Sequence, residues 1–339
     1  MLKNIISSLF VFLQLFLFIS NLFGDINLYS HRHYESDKIL FKEFTKKTGI
    51  KINVIKGSAD QLIQRLVSEG KNSPADVLLT VDAGRLERAK SLGVLQPVNS
   101  KILEKNVPLQ MRDKENYWFG LTVRARVIVY SKDRVEPKEL STYEDLADLK
   151  WKGRIAVRSS NNIYNQSLLA SIIAANGSEK ALRWAKGLRK NMARSPRGSD
   201  RDQARVVASG LADIAIMNTY YLGIMENSKD KADQEVVSQL SVFFPNQNDR
   251  GTHINISGAG VTSSSRNKEE SIKFIEFLTD KKSQETLAGV NYEYPLKMKK
   301  NKSKLLKRWG EFKADDLQLS ILGEKNTEAV KIFDTAGWE

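Results

Sequence analysis

The chain has 339 residues, beyond the length at which one hydrophobic core usually stops growing, so two domains are expected. With 41% hydrophobic and 27% charged residues its composition excludes a disordered or fibrous protein. Zero cysteines exclude thiolate metal sites and thiol nucleophiles, three histidines are too few for a His-rich zinc site, and a net charge of +13, spread among acids, reads as a lysine-rich solvated surface rather than a nucleic-acid footprint.

The N-terminus has the layout of a secretory signal peptide over residues 1–24. Lys3 supplies the positive start, Ile5 to Ile19 is almost wholly apolar, and Ser20-Asn21-Leu22-Phe23-Gly24 ends in a small residue before Asp25. An uncleaved anchor is the alternative, because Leu22 sits at the −3 position. Either way the bulk of the chain is expected outside the cytoplasm, which also argues against nucleic acid. No later stretch approaches the roughly 18 apolar residues of a membrane span.

Residues 26 to 30 alternate as a strand and lead into the polar loop His31-Arg32-His33-Tyr34. A helix follows from about Asp37 to Lys47, with Leu40, Phe41 and Phe44 on one face and Gly49 as its stop. Lys51 to Ile55 is the next strand. Ser58-Ala59-Asp60-Gln61 is a capping box opening a helix that closes at Gly70. Asp76 to Thr80 and Ala83 to Leu92 continue the alternation, which predicts a parallel sheet covered on both faces. Such sheets bind ligands beyond the carboxyl ends of their strands, where His33 and Tyr34 lie. Phe119 to Ser131 is a strand long enough to cross between domains, with Arg124 and Arg126 on one face.

The second half repeats the pattern. Arg154 to Arg158 is a strand, Ser159 to Asn162 a polar turn, and Ile163-Tyr164-Asn165 opens a helix. Ser178 caps a helix to about Asn191, Asp200 to Ser209 forms another, and Ala212 to Met217 is a strand that delivers Asn218-Thr219-Tyr220-Tyr221. Ser241 to Phe244 reads as an edge or hinge strand. Ile254 to Thr262 would return the chain to the first sheet. Helices follow from Lys268 to Leu278, from Lys281 to Leu287, and again from Ser303 onward.

Tyr34, Tyr164 and the pair Tyr220-Tyr221 all fall where a strand gives way to a helix. If two α/β domains face each other across a cleft, the four phenols converge. Asn218-Thr219 would cap the helix carrying the pair, whose dipole would favour deprotonated phenols. Phenolates are hard oxygen ligands that suit Fe(III), and Arg124 is placed to settle the remaining charge. Helix N-termini aimed at one point also suit an oxyanion, which is the alternative ligand class. Asp76 with Asp82, or Glu35 with Asp37, are the only carboxylate pairs that suggest a secreted hydrolase. No Gly-x-Ser-x-Gly, Walker or His-Glu-x-x-His motif accompanies them. His31 reads as a solvated loop residue, His253 as structural, and Tyr292 and Tyr294 as packing.

Taken together, Tyr29-Ser30-His31-Arg32-His33-Tyr34, Trp118-Phe119-Gly120-Leu121-Thr122 with Arg124-Ala125-Arg126, Asn161 to Ser167, Asn218-Thr219-Tyr220-Tyr221, and the closing Glu328-Ala329-Val330 to Ala336-Gly337-Trp338 form a pattern. It resembles the ferric-iron-binding solute receptors of ABC importers, in particular their tyrosine-rich cyanobacterial and marine branch, over the whole mature chain. The resemblance implies a two-lobed periplasmic binding protein fold of class II type, with two doubly wound α/β sheets joined by crossing hinge strands. Residues 25–122 and 254–299 would form the N-terminal lobe, and 123–253 and 300–339 the C-terminal lobe. It implies Fe(III) held by Tyr34, Tyr164, Tyr220 and Tyr221, with His33 as a fifth ligand or outer group, Arg124 near any anion, and carbonate or citrate as that anion. A periplasmic monomer that hands iron or a ferric chelate to an inner-membrane ABC permease, without catalysis and without nucleic acid, completes the expectation.

Overall fold

The computed structural model describes residues 24–32 and 34–339. The predicted signal peptide therefore lies outside the described residues apart from Gly24, and so does His33. Among the described residues no helix is long and apolar enough to cross a membrane.

Eight strands form one connected mixed sheet in the order β2-β1-β3-β8-β4-β6-β5, with β7 also pairing β4. They are β1 (Ile26–Ser30), β2 (Ile52–Lys56), β3 (Val77–Val81), β4 (Phe119–Ser131), β5 (Ile155–Ala156), β6 (Ile214–Asn218), β7 (Leu240–Phe243) and β8 (Ile254–Val261). β1 runs parallel to β2 and β3, as the strand-helix alternation predicts. β8 is antiparallel to both β3 and β4, so the sheet is mixed and not purely parallel. The reason is connectivity: β8 returns from the far half of the chain and enters between strands that helices had already joined.

β4 is the common member of both halves. Its residues Phe119 to Ala125 pair with β8, and Arg126 to Tyr130 pair with β6. The change of partner falls at Ala125 and Arg126, between the two arginines of its one face. Close backbone approach near its start requires glycine, since a Cβ on Gly258 would stand 2.6 Å from the Phe119 carbonyl oxygen.

The first helix, Glu35–Thr48, begins where the Asp37 carboxylate accepts the Tyr34 backbone N–H at 3.2 Å, and ends at Gly49 with φ +79. The predicted capping box forms, with the Ser58 and Gln61 side chains exchanging bonds with each other's backbone N–H. The Ile163–Asn176 helix buries Leu168, Leu169, Ile172 and Ile173, and it packs against the Ser178–Asn191 and Asn326–Ala336 helices. A helix apolar on most of its faces has to be buried this way.

Three expectations change. The strand placed at Arg154 to Arg158 shortens to Ile155–Ala156, because the Arg158 carbonyl is taken by the side chains of Asn165 and Trp338 at 2.8 and 3.0 Å instead of by a neighbouring strand. Ser178 does not cap its helix. Gly177 occupies the cap position and the Ser178 hydroxyl bonds Glu328. The stretch after Ser303 is broken into Lys304–Arg308, Ile321–Glu324 and Asn326–Ala336, with Gly310 at φ +91 in the first interruption.

Candidate functional site

Each tyrosine is delivered by a strand-to-helix junction. Tyr34 follows β1 and precedes the first helix, Tyr164 is the second residue of the 163–176 helix, and Tyr220 and Tyr221 open the Thr219–Glu226 helix directly after β6. The structure brings them together. The Tyr34 hydroxyl donates to the Tyr220 hydroxyl at 3.4 Å, with ring centres 6.2 Å apart and nearly perpendicular. Tyr220 and Tyr221 stack with centres 4.2 Å apart. Behind the pair, Gly223 leaves room for Tyr292, whose Cβ would lie 2.7 Å from any added Cβ.

The phenols titrate as neighbours. Burial and then the Tyr164 phenol push Tyr34 up to about 12. Burial, Tyr164 and Tyr34 carry Tyr220 well above its ordinary value, and burial with Tyr164 and Asp200 does the same to Tyr221. This reverses the expectation that the helix dipole would favour phenolate at Tyr220 and Tyr221. A helix end contributes roughly 0.3–1 kcal/mol, whereas burial moves a pKa by up to about 3–5 units. Asn218 holds the N-cap position but makes no side-chain cap bond.

Four arginines surround the phenols. Arg32 lies 4.9 Å from the Tyr34 ring centre, and Arg124, Arg126 and Arg158 lie 5.2, 5.7 and 5.6 Å from that of Tyr164. Arg124 and Arg126 thus use their shared face as the alternation predicts. Arg124 is 1% exposed, donates to Ser257 at 3.1 Å and to the Ile256 carbonyl at 2.8 Å, and stands 3.9 Å from Glu293. Its charge faces Tyr164 and Tyr220, but its Nη atoms are committed to protein.

Buried acids balance these cations. Asp37 and Glu293 hold Arg32, each at 2.9 Å, and Asp200 holds Arg126 at 2.8 Å and Arg158 at 3.3 Å. Asp200 also accepts the Asn218 backbone N–H at 2.8 Å, which fixes the start of the Tyr220 helix. Asp82 accepts from Ser167 at 2.7 Å and from Asn255 at 2.9 Å. Sequence reasoning missed Arg32, Glu293, Asp200 and Arg158. The Arg32-to-Asp37 spacing at a helix start was the one local signal for any of them.

His31 is half-buried rather than solvated, with its Nδ1 pairing with the Gly57 carbonyl at 3.2 Å, whereas His253 is buried as a structural residue would be. Tyr294 is buried edge-on against Phe312, and half-buried Tyr292 packs over Gly223. Asp76 and Asp82 sit at opposite ends of β3, so they form no catalytic pair; Asp37 is committed to Arg32 while Glu35 pairs with Lys38 at the surface. Among the described residues no group of three His, Cys, Asp or Glu side chains could hold a metal ion.

A sequence profile described as bacterial extracellular solute-binding protein matches residues 72–314. The chain is 52% identical to iron uptake protein A1 of Synechocystis over 93% of its own length and 88% of the relative's. It is 30% identical to the major ferric iron-binding protein of Neisseria meningitidis over 93% of both. A Trichodesmium structure, in complex with iron and citrate ligands, superposes with a TM-score of 0.91 at 51% identity, covering 93% of this chain and all of that one. These matches carry the two-lobed periplasmic binding protein architecture to the mixed sheet described above. The chain belongs to the bacterial extracellular solute-binding proteins, in the branch that holds the iron uptake and ferric iron-binding proteins.

Proposed function

We propose that this chain is a periplasmic receptor that binds Fe(III) and delivers it to an ABC permease by cleft closure. The observation that carries the reading is the convergence of four phenols, Tyr34, Tyr164, Tyr220 and Tyr221, on one place. Phenol oxygens are hard donors that favour a hard trivalent ion, and coordination displaces their protons. Four phenolates slightly overbalance a 3+ charge, and fixed Arg124 offsets the difference without itself binding the metal. His33 follows β1 immediately before Tyr34, which suits a fifth ligand or an outer group. Citrate or carbonate would complete the shell. The iron-and-citrate complex of the Trichodesmium relative supports the first of these.

The lobes are residues 25–122 with 254–299, and 123–253 with 300–339. What supports this division is the change of partner along β4, from β8 to β6. Iron between the lobes would stabilise the closed form, which the permease reads. The protein makes and breaks no covalent bond, works as a monomer without nucleic acid, and is exported by a Sec-type signal peptide.

The test is a visible absorption titration of the metal-stripped mature protein with a ferric chelate at neutral pH. A phenolate-to-iron charge-transfer band saturating at one equivalent is expected. No band, with phosphate raising the melting temperature instead, would mean that the arginines and helix ends hold an oxyanion.

A further inference from the structure

Across the whole chain 53 basic residues are set among 40 acidic ones, but the stretch between Glu293 and Glu311 departs from that balance. It carries Lys297, Lys299, Lys300, Lys302, Lys304 and Lys307, then Arg308, and no acid. The run is pinned to the fold. Leu296, Leu305 and Leu306 are buried, so the basic side chains around them are turned outward, and all of these are exposed. The Gln284 side chain accepts the Leu296 N–H at 2.8 Å, Lys297 Nζ donates to the Lys105 carbonyl at 3.1 Å, and the Asn301 side chain accepts the Ser303 N–H at 2.9 Å.

Little of this charge is neutralised within the protein. Lys302 pairs with Glu285 at 2.7 Å and Arg308 with Glu226. Lys297, Lys299, Lys300, Lys304 and Lys307 make no ion pair among the described residues, and neither does Lys281 at the start of the Lys281–Val290 helix. Lys281, Lys297, Lys300 and Lys302 line a cavity of about 570 Å³ whose wall includes Ala288 and Leu296 and which lies outside the tyrosine site. Like charges gathered around one cavity repel one another, and an anionic counterpart relieves that cost. Ile102, 51% exposed, sits one helical turn before Asn106, which lines the same cavity, so an aliphatic side chain projects at its edge.

We propose that this face docks the receptor on an anionic membrane surface, with phospholipid phosphates meeting the lysine run and one headgroup entering the cavity. Lipid is favoured over an acidic protein by the residue type. Protein interfaces are depleted in lysine and enriched in arginine, and the one arginine of the run is held by Glu226. Lysines are point charges on flexible stems, which suit a fluid array of headgroups better than a fixed carboxylate geometry. Docking does not depend on the ferric reading, and it would concentrate the receptor in the plane of the permease.

The experiment floats the mature protein with vesicles of phosphatidylglycerol mixed with phosphatidylcholine, and with vesicles of phosphatidylcholine alone. Wild type is expected to float with the anionic vesicles in about 0.1 M salt and to come off in about 1 M salt, as the screening length falls from roughly 10 to 3 Å. A lysine close to an anionic surface is worth roughly a fivefold factor in partitioning, so replacing Lys281, Lys299, Lys300 and Lys304 together by glutamine should weaken binding by at least about 100-fold. No side chain among these four makes an ion pair or hydrogen bond in the described residues, so the fold should be kept. The control replaces Lys71, Lys180, Lys186 and Lys190, exposed lysines on other elements, and should lose far less. Equal losses in the two variants would show that net charge, and not this face, drives binding, and would overturn the proposal. So would equal binding to neutral vesicles, or no binding to anionic ones; the second result would leave an acidic protein as the partner. Should the fourfold variant not fold, Lys299→Glu alone decides: it should bind on the order of tenfold more weakly, and wild-type binding by it overturns the assignment.

Discussion

The hydroxyl of Tyr34 stands 3.4 Å from that of Tyr220, across 186 residues of sequence. Two hydroxyls at that separation gain little from each other, so replacing either ring with phenylalanine should change metal-free stability by under about 1 kcal/mol. Iron affinity should fall by at least about 100-fold for each, since even outer-shell partners of a metal are worth about 10–100-fold. Competition against a ferric chelator, with urea denaturation as the control, measures both. Unchanged affinity in Tyr220→Phe would remove Tyr220 from the ligand set.

Much of this arrangement is written locally in the sequence. β1 and β4 carry the bounds their patterns predict, because an apolar run between polar turns specifies a strand wherever it packs. Tyr34, Tyr164 and Tyr220 were found because each junction announces itself by a change from strand to helix period. The Arg32–Glu293 pair has no such signal, since 261 residues separate its members and only the completed fold joins them. The same holds for Asp200, which looks like an ordinary first-turn acid until Arg126, Arg158 and the Asn218 N–H meet on it. The phenol pKa values went the other way from expectation because burial is a tertiary property that helix-end arguments do not contain.

Glu293 tests whether the buried charges behind the phenols act as a balanced set. It lies 2.9 Å from Arg32 and 3.9 Å from Arg124. Burial alone would raise its pKa, but the two guanidiniums and Asn291 hold it below the usual carboxylate range. Glu293→Gln should destabilise the metal-free protein by about 3 kcal/mol at neutral pH, the lower end for a broken buried pair, because Gln keeps an acceptor. Since the folded pKa is depressed, this stability is present above about pH 4.3 and is lost as pH falls below it. The gap between wild type and variant in urea melts should therefore narrow in acid. A gap constant down to pH 3 would contradict the assignment.

His253 sets a second acid limit. Burial first, then Arg126, Arg250 and Arg124, lower its pKa from 6.5 to about 3, so it is neutral in the fold. The unfolded chain binds a proton near pH 6.5 and the folded chain does not. Stability contributed by this difference is full above pH 6.5 and declines as pH falls toward 3, by roughly 5 kcal/mol at most. His253→Asn removes the titrating group, so melting temperatures of variant and wild type, compared from pH 7 to 4, should show the shallower decline in the variant. Parallel declines would mean that other groups govern acid unfolding.

The Asp82–Ser167 bond should report lobe closure. Asp82 ends β3 with φ +81, a left-handed conformation unfavourable for a residue with a Cβ, and its carboxylate also caps Gly84 at 2.9 Å. Ser167 lies about one turn beyond Tyr164, and its hydroxyl donates to the Asp82 carboxylate at 2.7 Å. In the proposed division Asp82 belongs to the first lobe and Ser167 to the second, so the bond exists only while the lobes touch. A hydrogen bond to a charged acceptor contributes about 1.5–3 kcal/mol, and Ser167→Ala removes it while leaving the Asp82 carboxylate its Gly84 and Asn255 partners. Iron should then leave the variant on the order of tenfold faster in the presence of a competing chelator. Melting of the metal-free protein should move less than melting of the iron-loaded one, because opening already breaks the bond. Equal shifts in the two forms would show that the bond persists whether or not iron is bound, and that Asp82 and Ser167 belong to one rigid unit.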